Sequence, residues 1–347
     1  MIGIILHPTR IEREKDRDKD PYVLFYMKLA QKHKVDICFY SLDQVSTERE
    51  TVKGHAYSYR SRMLKYKTVP IPKINLYKCG SSIQSKGSFR KIKRLREKRD
   101  YRFYNACSIK DRDKNKDYMY LSKFERIHPY LPNTKTLCYD TLLSMLADYS
   151  KVFIKPKQGG QGNGIHILRK YNDKYSAIRI YNKTMKEELI PHHRLKHYFN
   201  RYFRNPSDFI AQRGLYLKTY KGQRFDFRVS PQKDRNDRWQ VTGMIGRLAA
   251  PGWDVTNINQ GGEIIHDLRK LIKPETEELI YRVSLRIAKA LEERFIHLND
   301  LGLDFAVDRR GKIWFLEANF RPNRKIVNVK RNRIPFEHVC AVYRKYA

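Results

Sequence analysis

The sequence predicts a mixed α/β (α+β) protein of more than one unit, and three stretches carry that expectation. The N-terminus runs strand, loop, helix, strand, which is half of an open α/β sheet. Residues 151–168 run strand, glycine-rich loop, strand. Residues 301–320 read as an antiparallel hairpin.

In the first unit, Ile2–Leu6 is an apolar strand and Arg10–Asp20 a charged loop. Pro21–His33 is a helix with proline in its first turn, where the missing N–H costs nothing. Val35–Tyr40 is the second strand. Phosphates bind near strand ends in such sheets, yet no G-x-G-x-x-G is present. Residues 78–104 are dense in Lys and Arg with Phe89, Tyr101, Phe103 and Tyr104 interleaved. That pattern marks a solvated helix face or a nucleic-acid surface. Tyr118–Phe124 and Thr141–Tyr149 are expected helices, the second with Leu142, Leu143, Leu146 and Tyr149 on one side. Pro129 and Pro132 separate them, and Leu131–Lys135 is an extended link.

The strand Val152–Ile154 then leads to Lys155, the glycines Gly159, Gly160, Gly162 and Gly164, and a second strand, Ile165–Leu168. Glycines allow positive φ and let backbone N–H groups approach phosphate oxygens. A Walker loop is excluded, because no Gly-Lys-Ser/Thr occurs and a strand follows instead of a helix. Lys155 and Lys157 beside the glycines favour a phosphate flap over an ordinary hairpin. A polar stretch follows, expected to be helical near 186–203. Its His192, His193 and His197 lack the carboxylate partners of a metal motif.

Phe209–Leu215 is a short strand turning at Gly214. Along Gly222–Val229, Arg224, Asp226 and Arg228 share one face while Phe225, Phe227 and Val229 take the other. Trp239–Leu248 returns, carrying Arg247. Arg228 and Arg247 are candidates for bidentate binding of phosphate or carboxylate. Thr256–Gly262 is a polar loop expected near a ligand. Pro274–Phe295 is a helix with acids in its first turns and Leu279, Val283, Ile287 and Leu291 at i+4 spacing. The basic tail from Asn323 ends in a short helix.

The hairpin carries the chemistry. If Asp308 pairs with Ile313 around the turn Arg309–Lys312, Asp304 pairs with Glu317, and Asn319 falls on the same face. Two carboxylates opposed across a ladder repel. Two acids and an amide on one strip suit a hard cation such as Mg²⁺, which leaves further positions to phosphates. The other reading of the strip is a solvated edge.

The 347 residues include 72 Lys+Arg against 37 Asp+Glu, a net charge of +35. Such an excess implies a polyanionic neighbour: an acidic small molecule, peptide or polymer, or, less favoured, nucleic acid. The five cysteines are scattered with no C-x-x-C, which fits a reducing compartment and excludes a disulfide framework. The first six residues are too short and uncharged for a signal peptide, and no apolar run reaches membrane-spanning length. No Ser-His-Asp or Cys-His constellation is present.

Together these stretches resemble the ATP-grasp superfamily, and within it the endospore coat-associated (YheC/YheD-like) group. The carrying residues are Asn115-Lys116, Tyr130–Thr134, Phe153–Gly159, Gln212–Leu215, Phe225–Val229, Thr256-Asn257 with Gly261-Gly262, and Leu301–Asn319 with Pro322. The resemblance implies an ATP-grasp fold with a Rossmann-like pre-ATP-grasp domain over residues 1–111. A lobe with the flap would span 112–211, and a lobe with the metal strip 212–347. It implies Lys116, Lys155, Gln158, Gly159 and Gly160 on phosphates, and Gln212, Arg213, Gly214 and Leu215 as the hinge meeting adenine. Asp304, Glu317 and Asn319 would hold one or two Mg²⁺ ions, or Mn²⁺. Arg228 and Arg247 would steady the γ-phosphate and an acyl-phosphate. Asp117 stands where the group often has an aromatic. The implied activity is an ADP-forming carboxylate–amine ligase in the cytoplasm or a spore coat. An ATP-binding structural component of a spore layer and a basic nucleic-acid-binding protein are the alternatives. Oligomeric state stays open.

Overall fold

Ile2–Ile5, buried at every position, pairs in parallel with Ile37–Tyr40 on one side and Ile74–Tyr77 on the other. The computed structural model describes residues 1–12, 20–79, 86–98, 100–107, 112–159, 162–182, 184–253, 256, 262–322 and 329–346. Arg102–Tyr104 extends the parallel set, and Thr51–Tyr57 pairs antiparallel with Ile37–Tyr40 and then with Leu64–Pro70. Leu64–Pro70 is exposed at most positions; a solvated edge strand lacks the apolar pattern that would mark it in sequence. Helix Pro21–His33 covers this sheet. Asp20 caps it by accepting the N–H groups of Tyr22 and Val23, and Lys34 ends it in the left-handed region.

The second sheet is antiparallel throughout. Its order is Thr184–Pro191, Lys174–Tyr181, Ile165–Lys170, Lys151–Pro156, Phe209–Arg213 and Thr134–Thr136. Helices Tyr139–Asp148 and Leu195–Tyr202 bury Leu142, Leu146, Leu195 and Phe199 against it. The helix expected near 186–203 is therefore half strand. Residues 184–188 form an exposed polar edge, which mimics a solvated helix, and the helix begins only after Pro191.

The third sheet runs Glu263–Ile265, Trp239–Leu248, Gln223–Lys233, Gly302–Val307 and Ile313–Asn319, with Thr219–Tyr220 beside Gln223. Helix Pro274–Arg294 lies on its outer face, packing Ile280, Val283, Ile287 and Leu291 in one core with Phe225, Phe227 and Phe305. Leu279 sits at the edge of this core and Ile280 fills the place expected for it.

The C-terminal helix, Val329–Tyr346, is longer than the sequence suggested and returns to the first sheet. Phe336, Val339 and Cys340 join Ile2, Ile4, Tyr26 and Leu76 in one core, and the N-terminal ammonium donates to Tyr343 Oη at 2.6 Å. Among the described residues, no helix is long and apolar enough to cross a membrane. Phe336 is fully buried, so Phe336→Ala is expected to cost about 3–5 kcal/mol. Urea unfolding should show the lower midpoint; a loss below ~1 kcal/mol would mean the tail is not part of the core.

Candidate active site

The inner face of the third sheet is built by strand register. Asp304 stands opposite Glu317 on one side and Arg228 on the other, and Asp226 stands opposite Arg247. The Asp304–Glu317 pairing matches expectation, but the turn beside it does not. Val307, not Asp308, pairs with Ile313, and a bulge at Leu316 restores the register. The cause is Asp308, whose carboxylate accepts the N–H groups of Arg310 and Lys312 and the indole of Trp314 at 2.8 Å. Those bonds draw it out of the ladder into the turn, and the bulge absorbs the one-residue offset.

Asp304 is buried between two guanidinium groups. Arg228 grips it through Nε and Nη2, and Arg247 Nη2 lies 3.0 Å from its Oδ2. Burial alone would raise the Asp304 pKa, but Arg228 and Arg247 overcome it and hold the group below the usual carboxylate range. Arg247 also forks onto Asp226 at 2.6 and 2.5 Å, and Thr256 Oγ1 donates to the same carboxylate. Burial opposes the charge on Arg247, yet Asp226 and Asp304 raise its pKa. Asp226 itself is raised by burial against the pull of Arg247. Gly302 makes the arrangement sterically feasible, because a Cβ there would sit 3.1 Å from Arg228 Cδ and 2.9 Å from Pro322 Cβ.

Glu317 is left with less. Among the described residues its one hydrogen bond is from Asn319 Nδ2, at 3.3 Å. Across the cleft, Lys155 donates to Gln212 Oε1 at 2.7 Å and lies over the Phe153 ring. Burial lowers its pKa to about 8, partly opposed by Glu317 and Asp304. Gln212 is fixed in turn by donating to Thr134 Oγ1 at 2.9 Å.

The other expected residues divide. Gly159 has φ +109°, open to glycine alone, and it lies in the exposed flap beside Gln158. Gly160 lies outside the described residues, as do Asn257 and Gly261. Arg213 is exposed between Tyr149 and Trp314, Gly214 N–H bonds to Lys151 O, and Leu215 is half-buried. Lys116 is exposed in the first turn of helix Lys114–Leu121, and the structure does not bring it to the flap. Lys114 makes that contact instead, its Nζ donating to Gly159 O at 2.8 Å. Asp117, in the place of an aromatic, is buried and paired with Arg294 at 2.5 Å, tying this helix to the long helix. Sequence reasoning assigned no role to Lys114 or Asp226, and placed Thr256 only in a loop expected near a ligand. Alternation along residues 224–228 placed Asp226 on the right face, but its partner on the return strand is visible only in the register.

Asp304 and Glu317 supply hard oxygen donors from adjacent strands, and Asn319, whose Nδ2 donates to both, would add its Oδ1 once the amide turns over; that set fits Mg²⁺ completed by phosphates. Among the described residues, no group of three His, Cys, Asp or Glu could hold a metal by itself. A model of YheC/D-like ATP-grasp proteins matches residues 101–347. The chain belongs to this ATP-grasp family. This ATP-grasp protein is similar to the endospore coat-associated protein YheD of Bacillus subtilis (strain 168), 26% identical over 351 residues, 94% of this chain and 73% of the relative. Its fold is similar to D-alanyl-alanine synthetase A from Vibrio cholerae O1 biovar eltor str. N16961, with a TM-score of 0.56, 10% identity, and 99% and 98% of the two chains covered. It is also similar to the ATP-grasp ligase PsnB in complex with a phosphomimetic variant of its minimal precursor, Mg and ADP, with a TM-score of 0.54, 12% identity, and 99% and 98% covered.

Removing Arg247 would leave Asp226 and Asp304 without their shared cation. Arg247→Met is expected to cost roughly 3–5 kcal/mol, as breaking a buried pair does. The double variant Arg247→Met/Asp226→Leu should recover at least ~1 kcal/mol, read in urea midpoints; no recovery would show that the two groups are not coupled.

Proposed function

We propose that this ATP-grasp protein is an ATP- and Mg²⁺-dependent carboxylate–amine ligase that releases ADP and phosphate. The observation that carries the reading is the row Arg228–Asp304–Glu317, with Lys155 near enough for Glu317 and Asp304 to favour its charge. Phosphoryl transfer needs positioning and cationic charge more than a side-chain nucleophile. The row supplies both.

Asp304 and Glu317, with the carbonyl oxygen of Asn319, would hold Mg²⁺. When bound, the ion offsets charge on the phosphates. Lys155, Gly159 and Gly160 would bind phosphates, with Gln158 beside them and Lys114, in place of the expected Lys116, steadying the flap. Gln212 to Leu215 would meet adenine at the hinge. Arg228 and Arg247 would face the γ-phosphate. A substrate carboxylate oxygen then attacks the γ-phosphorus as the bond to ADP breaks. The acyl-phosphate formed is taken by an amine, and phosphate leaves. The net charge of +35 favours an acidic peptide or polymer as acceptor. The likeness to an endospore coat-associated protein supports a place in spore coat formation.

Supplying labelled ATP with candidate acids and amines should give ADP, phosphate and an amide product, all absent in Glu317→Ala. AMP release, or nucleotide binding with no product from any acid, would contradict the proposal; the second result would fit an ATP-binding scaffold. The Lys155 pKa fixes the pH dependence. A lysine lowered to about 8 is cationic below that pH and neutral above it, so affinity for Mg-ADP should be full near pH 7. It should fall roughly tenfold between pH 7.5 and 9.5, whereas an unperturbed lysine would hold its charge. Lys155→Met should bind weakly at every pH. A flat wild-type profile would remove Lys155 from the phosphates.

A further inference from the structure

The second sheet ends on an open strand. Thr184–Pro191 pairs with Lys174–Tyr181 along its whole length and is the last strand in the order. Among the described residues nothing pairs with its outer edge. Such an edge exposes unpaired N–H and C=O groups, and proteins blunt it or use it. The open strand of the first sheet, Leu64–Pro70, is blunted: it carries Lys65 and Lys67 and no acid, so two copies repel there.

Thr184–Pro191 is built differently. Met185 is 40% exposed and Leu189 60%. Side-chain alternation puts both on one face, with Glu187 between them. They prolong an apolar strip, because Met185 stands opposite Ile180 and Glu187 opposite Ile178, both buried in one cluster. The other face holds Lys186 and Glu188. Lys186 stands directly opposite Arg179, a like-charge pairing that destabilises a ladder. Arg179 takes Glu188 instead, at 3.3 Å. Lys186 is exposed, and among the described residues it has no acidic partner.

The strand is complementary to itself. A two-fold axis perpendicular to the sheet can join two copies antiparallel only with a residue on the axis, since opposed side chains must share a face. With the axis at Glu187, Lys186 of each copy stands opposite Glu188 of the other, and Met185 opposite Leu189. That gives two ion pairs and two apolar pairs along the ladder. An axis at Lys186 sets Met185 opposite Glu187, and an axis at Glu188 sets Leu189 opposite Glu187, so neither keeps the matching. In the favoured register Glu187 meets its own copy. Ser176 Oγ donates to that carboxylate from the inboard strand, which draws it away from the axis.

We infer that this edge is a contact between two copies of the chain, joined antiparallel through Thr184–Pro191 about Glu187 into one continuous sheet. It uses none of the residues assigned to nucleotide or metal and stands whether or not the protein is a ligase. Eight residues a side fall short of the roughly 20–30 of a standard interface, so the dimer is expected at micromolar concentration. The net charge of +35 opposes the approach of copies. Physiological salt, with a Debye length of about 8 Å, screens that repulsion and leaves the close pairs.

Sedimentation equilibrium across the micromolar range in physiological salt tests the contact. Wild type should form a concentration-dependent dimer. Lys186→Glu and Glu188→Lys each set like charges opposite twice, and each alone should weaken the dimer at least tenfold. Mixed in equal amounts, the two variants should pair with each other about as well as wild type does, since each supplies the charge that the other lacks. Glu187→Gln, nearly isosteric, removes the like charges on the axis and should tighten the dimer at least threefold. A wild type that stays monomeric overturns the contact and leaves the edge to a foreign strand. A dimer indifferent to both single charge reversals, or a mixture that does not recover, overturns it as well. An unchanged or weaker dimer in Glu187→Gln overturns the register.

Discussion

One carboxylate shared by two arginines governs the inner face of the third sheet. Asp304 sits in a strand buried at all six positions, where an unpaired acid would be untenable. Arg228 and Arg247 make it tenable, and each arrives from a different neighbouring strand. Their placement needs the strand order, the register and the bulge at Leu316 together. The outer face supplies the force that fixes that register. Phe225, Phe227, Phe305 and Phe315 bury there against the long helix, and slipping any strand by one residue would turn its rings to the inner face and its charges into the apolar core.

The same constraint reaches into the other units. Arg294 ends the long helix and holds Asp117, so the short helix bearing Lys114 is fixed to the long helix by a partly buried ion pair. Lys114 in turn touches the flap. The C-terminal helix follows the strand Ile313–Asn319 in sequence and closes on the first sheet.

Much of this was legible in the sequence wherever a pattern is local. Proline in the first turn marked Pro21–His33, and the return strand Trp239–Leu248 was placed to the residue. Apolar spacing marked the long helix, missing only that Ile280 rather than Leu279 faces inward. What needed the fold was pairing at a distance. Leu64–Pro70 is an exposed edge strand with no apolar signature. Residues 184–191 are polar enough to pass for helix. Asp226 and Arg247 are 21 residues apart, and only strand register shows that they are bonded. The Asp304–Glu317 pairing was deduced through a turn drawn one residue wrong; it held because the bulge corrects what the Asp308 side chain displaces. Lys116 and Lys114 lie on the same helical turn, and sequence alone had no means to choose which one meets the flap.

At the hairpin, cations and carboxylates nearly balance, and among the described residues Glu317 takes a single hydrogen bond, from Asn319. The central claim is that the opposed pair, Asp304 and Glu317, is a seat for a divalent ion. The direct measurement is electron paramagnetic resonance of Mn²⁺ titrated into the protein with a non-hydrolysable ATP analogue. The account predicts that the free-ion signal is lost stoichiometrically in wild type. Binding should be at least tenfold weaker in both Asp304→Asn and Glu317→Gln; undiminished Mn²⁺ binding in either would contradict it.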